Sequence, residues 1–390
     1  MSHHEYILEE RAWWDLSGAD LSAWRRLAAQ AVDPNPFYHP EFLLPALRWL
    51  EPDPHQVRLL VLRERGSLRW SVAAPFRTLP PTVKRPLARL RAYVSRHTFF
   101  DVPLIDRRDC ERAAPVFLKG ITEHAAWHGM RFLVIDREGV WARSLLEAGA
   151  QEGRCVWYDR VWNRACLDGS PSLPDDLLHE CSKSRRKSLQ RAYRRLADHG
   201  PVEFRLRRPA PEETEPVETF LRLEDTGWKH ERGTSLRSRE SDLRFLRAVA
   251  RHFSAEGNLL LGELCVGGRV IASTCNFLAG ETLFAFKIGW DPAYREGSPG
   301  TWSEILLAEQ VRQELPTVRR LDSCASAGSY VESVWPHVRR MAGMSLTWSR
   351  CGIALALVRE RLRMWKHRLS QQEVFWPELL KTGELDLHMA

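Results

Sequence analysis

The chain has 390 residues, 57 Lys and Arg against 50 Asp and Glu for a net charge of +7, and 44% hydrophobic with 27% charged residues. This balance excludes a disordered chain and allows two domains with substantial cores, while the lack of an uninterrupted apolar run of about 18 residues excludes a membrane-spanning helix. Eight scattered cysteines with no CxxC pair read as reduced thiols without structural zinc, and an N-terminus with no basic region followed by an apolar one points to a cytoplasmic location.

Residues 13–31 predict a helix led in by Ser or Asp, and "DPNPFYHP" breaks the chain before a second helix at about Glu41–Leu50. "VRLLVLRERG" and "SLRWSVAAPFRT" form a hairpin with an Arg-Gly turn. A basic, proline-broken stretch from Thr78 to Arg91 precedes an apolar strand around Phe99–Ile105 and a helix from Arg112 to Trp127. His124 and His128 stand i, i+4 at helical spacing, which suits a metal, but a third ligand and the zinc-protease pattern are missing, so no metal is expected. "MRFLVID" is a buried strand, a helix and strand follow, and "DGSPSLPDD" (168–176) marks a domain boundary.

The second half opens on "KSRRKSLQRAYRRL", where Lys183, Arg185, Arg186, Lys187, Arg191, Arg194 and Arg195 occur with no acidic residue and Leu189, Tyr193 and Leu196 mark a buried stripe. Single-sign charge suits either a solvated face or contact with an anion: a coenzyme phosphate, tRNA, or an anionic membrane surface. No RNA-binding aromatic motif accompanies it, and DNA is not an expected partner. After a strand and two helices (212–225 and 241–254), three runs ending at Trp290 form an antiparallel meander turned at Gly267-Gly268 and Gly280. The turn "DPAYREGSPG", a helix stopped by Pro316, a strand at 318–324, "HVRRMAGMSLTWS" and a tail helix over about 354–369 complete the chain. The two hairpin segments rhyme as a weak internal duplication.

A strand entering a helix through Ser-Pro-Gly-Thr can present unpaired N–H groups to a phosphate. Ser298 could cap this helix with Pro299 in its first turn, or Thr301 could cap it in a box with Glu304. In either case Gly300 would leave room for a pyrophosphate, and an ordinary capped helix is the structural alternative.

The meander, the strand feeding this turn, and the next strand resemble the acyl-CoA-dependent N-acyltransferases of the GNAT superfamily. More closely, they resemble the GNAT-type domain of proteins associated with cellulose biosynthesis, related to the Fem peptidoglycan aminoacyltransferases. The resemblance rests on residues 224–236, 268–301 and 321–340, and on "NPFYHPEFL" (35–43) in the N-terminal half. It implies an α/β (α+β) chain of tandem GNAT-like domains with mixed central sheets flanked by helices. Residues 1–170 would be a degenerate domain, 171–350 the acyltransferase and 351–390 a helical tail, with the acceptor held between the domains.

The implied activity is transfer of an acyl group from acetyl-CoA or a longer acyl-CoA to a small-molecule amine such as an amino sugar or amino acid. The pyrophosphate loop is reduced to "REGSPGT", and Fem-like relatives with such a turn can use aminoacyl-tRNA, which is the alternative donor. A non-catalytic GNAT shell in polysaccharide or envelope assembly is the third reading, and peripheral membrane contact is admitted. Ser298, Gly300, Thr301 and Trp302 would hold the donor's phosphates, and Ile288 or Gly289 would supply the oxyanion N–H where the strands part. Glu224, with Asp225 second, is the candidate base at a helix end; Trp228 and Lys229 would wall the acceptor. Lys287, in an apolar strand, needs a partner such as Asp322 or a ligand phosphate. Asp322 and Cys324 end the next strand, Cys324 as thiol acid, acyl-accepting nucleophile or buried inert cysteine, and Tyr330 would protonate the leaving thiolate. Trp335 reads as packing and Arg339 as a phosphate contact or surface residue.

Overall fold

The computed structural model describes residues 6–83, 86–151, 154–168, 177–358 and 361. The chain begins with β1 (Tyr6–Arg11), α1 (Gly18–Ala29), α2 (Pro40–Trp49), β2 (Val57–Glu64), β3 (Trp70–Leu79), β4 (Arg89–Ala92) and β5 (Leu104–Ile105). It continues with α3 (Cys110–Glu123), β6 (Gly129–Asp136), α4 (Val140–Gln151), β7 (Cys155–Asp168), α5 (Leu177–Glu180), α6 (Lys183–Ala197) and β8 (Val202–Arg207). Then come α7 (Glu215–Glu224), α8 (Trp228–Glu231), α9 (Glu240–Ala255), β9 (Leu259–Val266), β10 (Arg269–Ala279) and β11 (Thr282–Trp290). The described chain closes with α10 (Pro299–Glu314), β12 (Arg320–Asp322), β13 (His337–Thr347) and a helical stretch over 350–358. No described helix is long and apolar enough to cross a membrane.

The chain divides into two compact units. The first takes residues up to Tyr38, Asp53–Trp162 and Arg340 onward; the second takes His39–Pro52 and Asn163–Arg339. The connector expected at 168–176 lies, beyond Asp168, outside the described residues, as does most of the expected tail helix.

Six strands of the first unit run in the order β1, β2, β3, β4, β6, then 340–347 of β13; β4 and β6 are parallel and the other neighbours in this order antiparallel. The β2–β3 hairpin follows from two apolar runs and a left-handed Gly66 at φ 74°. Ser17 and Asp20 form a reciprocal capping box that starts α1.

Two expectations fail here. The strand foreseen over Phe99–Ile105 shrinks to Leu104–Ile105, because Asp101 uses its carboxylate on the N–H groups of Leu133 (2.6 Å) and Val134 (2.9 Å). Nor do His124 and His128 share a helix. α3 stops at Glu123, and His124, in its C-cap position, stacks on Trp127 at 4.0 Å.

The second unit repeats the same order: β8, β9, β10, β11, β12, then 163–168 of β7, with β11 and β12 the parallel pair. The duplication sensed in the hairpins is therefore one of whole sheet topology. On one face, α6 and α10 bury Leu189, Leu196, Ile305 and Val311 against Leu260, Ile271, Leu283 and Leu321. A separate aromatic cluster sets Phe42 of α2 edge-on to Phe245 (5.1 Å), Phe277 (5.9 Å) and Phe286 (6.1 Å). Each such pair adds about 0.5–1.5 kcal/mol beyond the area it buries, and this holds α2 in the second unit.

Candidate functional site

Two strands of the second unit part company. The β11–β12 ladder holds only Thr282 to Phe284 against Arg320 to Asp322, whereas β11 runs on to Trp290. Within that open length β11 carries a bulge: Cys275 faces Lys287 and Asn276 faces Ala285, leaving Phe286 as the extra residue. A bulge of this kind bends its strand and re-aims the side chains beside it.

α7 ends against the same length. A Cβ on Gly289 would fall 2.2 Å from the Glu224 nitrogen and 2.5 Å from its Cα, so only glycine lets the helix end approach this closely. Glu224 is buried, with Oε1 3.2 Å from Lys229 Nζ and 4.0 Å from Lys287 Nζ, and Oε2 accepting from the Leu236 N–H at 2.8 Å. Lys229 also donates to the Ile288 carbonyl at 2.6 Å. The expected pairing of Lys287 with Asp322 is corrected: the carboxylate beside it is Glu224. Burial pushes the Lys287 ammonium below its ordinary titration range, and Glu224 partly offsets this. Asp225 accepts from the Ser235 hydroxyl at 2.5 Å and pins the following loop. The Trp228 side chain lies outside the described parts of the structure.

α10 starts where expected but by another device. Ser298 sits in the left-handed region (φ 51°, ψ 51°) with no side-chain cap, and Pro299 opens the helix. The Thr301–Glu304 capping box is absent because both residues lie inside the helix, buried with Gly300 and Trp302. A Cβ on Gly300 would meet Trp290 Cδ1 at 3.3 Å and Nε1 at 3.4 Å, so this glycine seats the first turn of α10 beside the end of β11. The Trp302 ring packs edge-on to Tyr193 at 4.7 Å.

Asp322 and Cys324 fall into a buried ion cluster. Asp322 pairs with Arg339 at 2.7 Å and Arg164 at 3.4 Å, and its Oδ1 takes the Cys324 N–H at 2.8 Å. Burial alone would raise this carboxyl, but the two guanidinium groups overcome it and hold the group below the usual carboxylate range. Burial and Asp322 push the Cys324 thiol well up. It stays protonated and is a poor nucleophile.

Sequence reading missed the role of Glu304. Its carboxyl is buried, Oε1 lies 3.4 Å from the Tyr330 hydroxyl, and burial pushes its titration up to about 7. The signal was present: Glu304 shares the helical face of Thr301, Ala308 and Val311, which is the core face. The folded state binds more protons than the unfolded one between pH 4.5 and about 7, so stability falls as pH rises through that window, by about 3 kcal/mol. Urea midpoints at pH 5 and pH 8 should show this loss in the wild type and not in Glu304→Gln.

The basic helix divides by function. Arg185 donates to Ser333 Oγ at 3.0 Å, and Arg186 donates to the carbonyls of Leu178 and His179, each at 2.9 Å. Lys183, Lys187, Arg191 and Arg194 form an exposed stripe.

With this geometry in place, comparison with known proteins gives three findings. Residues 183–330 match the family described as the acetyltransferase (GNAT) domain, which is the segment containing the open length of β11, α10 and the Glu224 and Glu304 clusters. A conserved protein of unknown function from Bacteroides thetaiotaomicron shares the fold at TM-score 0.54 and 13% identity, covering 88% of this chain and 100% of that one. FemX does so at 0.52 and 9%, covering 86% and 96%. The C-terminal domain of a putative lysylphosphatidylglycerol synthetase from Agrobacterium fabrum does so at 0.51 and 11%, covering 87% and 94%. At these identities the likeness is one of fold. No curated protein matches the sequence.

Proposed function

We propose that the second unit is an acyl-CoA-dependent N-acyltransferase of the cellulose-biosynthesis-associated type, moving an acyl group from acetyl-CoA or a longer acyl-CoA to a small amine such as an amino sugar or amino acid. One observation supports this above others: the GNAT match covers the segment in which β11 outruns β12 and ends against the start of α10. Because α10 begins at Pro299, helix geometry leaves the Gly300 and Thr301 N–H groups without intrahelical acceptors, which suits a diphosphate flanked by Ser298 and Trp302.

The free length of β11 is suited to an extended amide-bearing arm, and an N–H of Ile288 or Gly289 to the oxyanion of the tetrahedral intermediate. Glu224 is the carboxylate placed at that length, and in this reading it accepts the amine proton, while Trp228, Lys229 and Lys287 line the acceptor side. Tyr330 supplies the proton for the departing thiol. Asp322 and Cys324 shape the end of β12 without exchanging protons. A cytoplasmic setting accords with eight cysteines free of disulfides.

The exposed stripe of Lys183, Lys187, Arg191 and Arg194 favours a second reading, an aminoacyl-tRNA donor whose phosphates lie along α6. Melting curves with acetyl-CoA, palmitoyl-CoA, free CoA and aminoacylated tRNA separate the two. A ligand at about 100 times its Kd stabilises by about 2.7 kcal/mol. We expect a shift with a CoA species that is lost in Gly300→Leu, where the side chain drives α10 off Trp290. A shift with tRNA alone, lost in Lys187→Glu with Arg191→Glu, would replace the first reading by the second. Silence throughout would overturn both and leave a non-catalytic shell.

A further inference from the structure

Glu304 lies one turn inside α10 and is 5% exposed. Its Oε1 has the Tyr330 hydroxyl at 3.4 Å, its Oε2 has no hydrogen-bond partner among the described residues, and its main-chain oxygen accepts from the Trp335 indole at 3.3 Å. An ionised carboxylate with one long hydrogen bond and one bare oxygen would bear most of its desolvation cost uncompensated. A protonated carboxyl avoids that cost and has a proton to offer, and Tyr330 is the group within reach. Tyr330 is 45% exposed as a whole residue while its hydroxyl end lies in the buried surroundings of Glu304, so the side chain runs between the carboxyl and the surface.

Tyr330 acting alone would be a poor acid. On losing its proton it would leave a phenolate against a buried carboxyl, and burial together with Glu304 holds its titration well above the ordinary phenol value. Were Glu304 ionised, two negative charges would face each other.

We propose that Glu304 is a positioning residue behind Tyr330, a buried proton reserve that lets Tyr330 act as the acid for the departing group. The inference rests on the acyl-transfer reading above. As the amine nitrogen bonds to the acyl carbon, the bond from that carbon to the thiol sulfur breaks. The sulfur takes the Tyr330 proton while the Tyr330 oxygen takes the Glu304 proton, and the amine's own proton goes to Glu224. The phenol stays neutral throughout and a single negative charge ends on Glu304, which regains a proton from solvent through Tyr330. Tyr330 is the one titratable group that bears on Glu304 among the described residues. α6, β8, β9, β10 and β11, which lie against α10, bring no other to it, and Glu332 of the same turn is engaged with the Gly328 N–H at 2.7 Å.

The test follows CoA release from acetyl-CoA and palmitoyl-CoA with glucosamine, lysine or ethanolamine, using the full chain, Glu304→Gln, Tyr330→Phe and the double variant. We expect each single change to lower kcat by roughly 100-fold, as for loss of a general acid, with KM unchanged. The double variant should be no slower than either single one, since the two side chains act as a unit. Wild-type kcat should fall as pH rises through about 7, and that limb should be missing in Glu304→Gln. Losses that multiply in the double variant, or a Glu304→Gln protein with wild-type kcat and pH profile, would overturn the relay and leave acyl transfer standing. No release by the wild type with either donor would overturn the acyl-CoA reading, and the relay with it.

Discussion

Asp322→Ala should lower the melting temperature by about 6–20 °C, the shift that corresponds to a loss of about 3–5 kcal/mol in a unit of this size. Asp322 is fully buried and sits between Arg339 and Arg164, at 2.7 and 3.4 Å. Removing it takes away the negative member of a cluster in which two cations share one carboxylate, and it also frees the Cys324 N–H held at 2.8 Å. Cys324 has a φ of 53°, a left-handed conformation that a side-chain-bearing residue keeps only when neighbours over-determine it. Asp322→Asn retains the bond to Cys324 and loses only the charge, so it should fall between the two.

In acid the cluster should fail without mutation. A carboxyl held below its unfolded value contributes stability above the ordinary carboxylate range and loses it as pH falls through the folded value. The wild type should therefore lose stability more steeply than Asp322→Ala below about pH 4, as read from melting curves between pH 3 and 6.

Gly289→Val should be nearly as damaging, for a steric reason. The new Cβ would lie 2.2 Å from the Glu224 nitrogen, and the obstructing atoms are backbone at the end of α7, not the tip of a flexible side chain. Either α7 lifts from β11 or the bulged strand bends away, at a cost on the order of 3 kcal/mol. The larger consequence is local, because Glu224 moves relative to Lys229 and Lys287. We expect turnover to fall strongly and the melting shift given by the donor to shrink without vanishing, since the open length of β11 is disturbed while α10 is untouched. Loss of both together would mean that β11 as a whole had been displaced.

Much of the second unit was legible because its signals are local. Two glycine turns and three alternating runs specify the meander, and Leu189, Tyr193 and Leu196 specify the inward face of α6. Pro299 marks the start of α10. The misses are long-range. Lys287 was given Asp322, on the next strand in sequence, because a bulge cannot be inferred from one strand. That bulge turns Lys287 to a helix end instead. Arg185 and Arg186 were grouped with the surface stripe, yet their partners are Ser333 and the Leu178 and His179 carbonyls of α5, whose positions beside α6 only folding fixes. Glu304 was assigned to a cap by its spacing from Thr301, although the same spacing also places it on the core face. Helical periodicity alone would have favoured the second choice.

The order in which residues belong to the two units sets when either can be finished during synthesis. The first unit needs 340–347 beside β6, and the second draws on 39–52 as well as everything from 163 to 339. At about 5–20 residues added per second, roughly 10–40 s separate the completion of β6 at Asp136 from that of β13 at Thr347, the last strand that the first unit requires. Until then β6 waits with one edge unpaired, and Phe42 waits for rings that are made some two hundred residues later. The nascent chain therefore carries an exposed strand edge for that interval, and a gene cut at the middle should yield two insoluble halves.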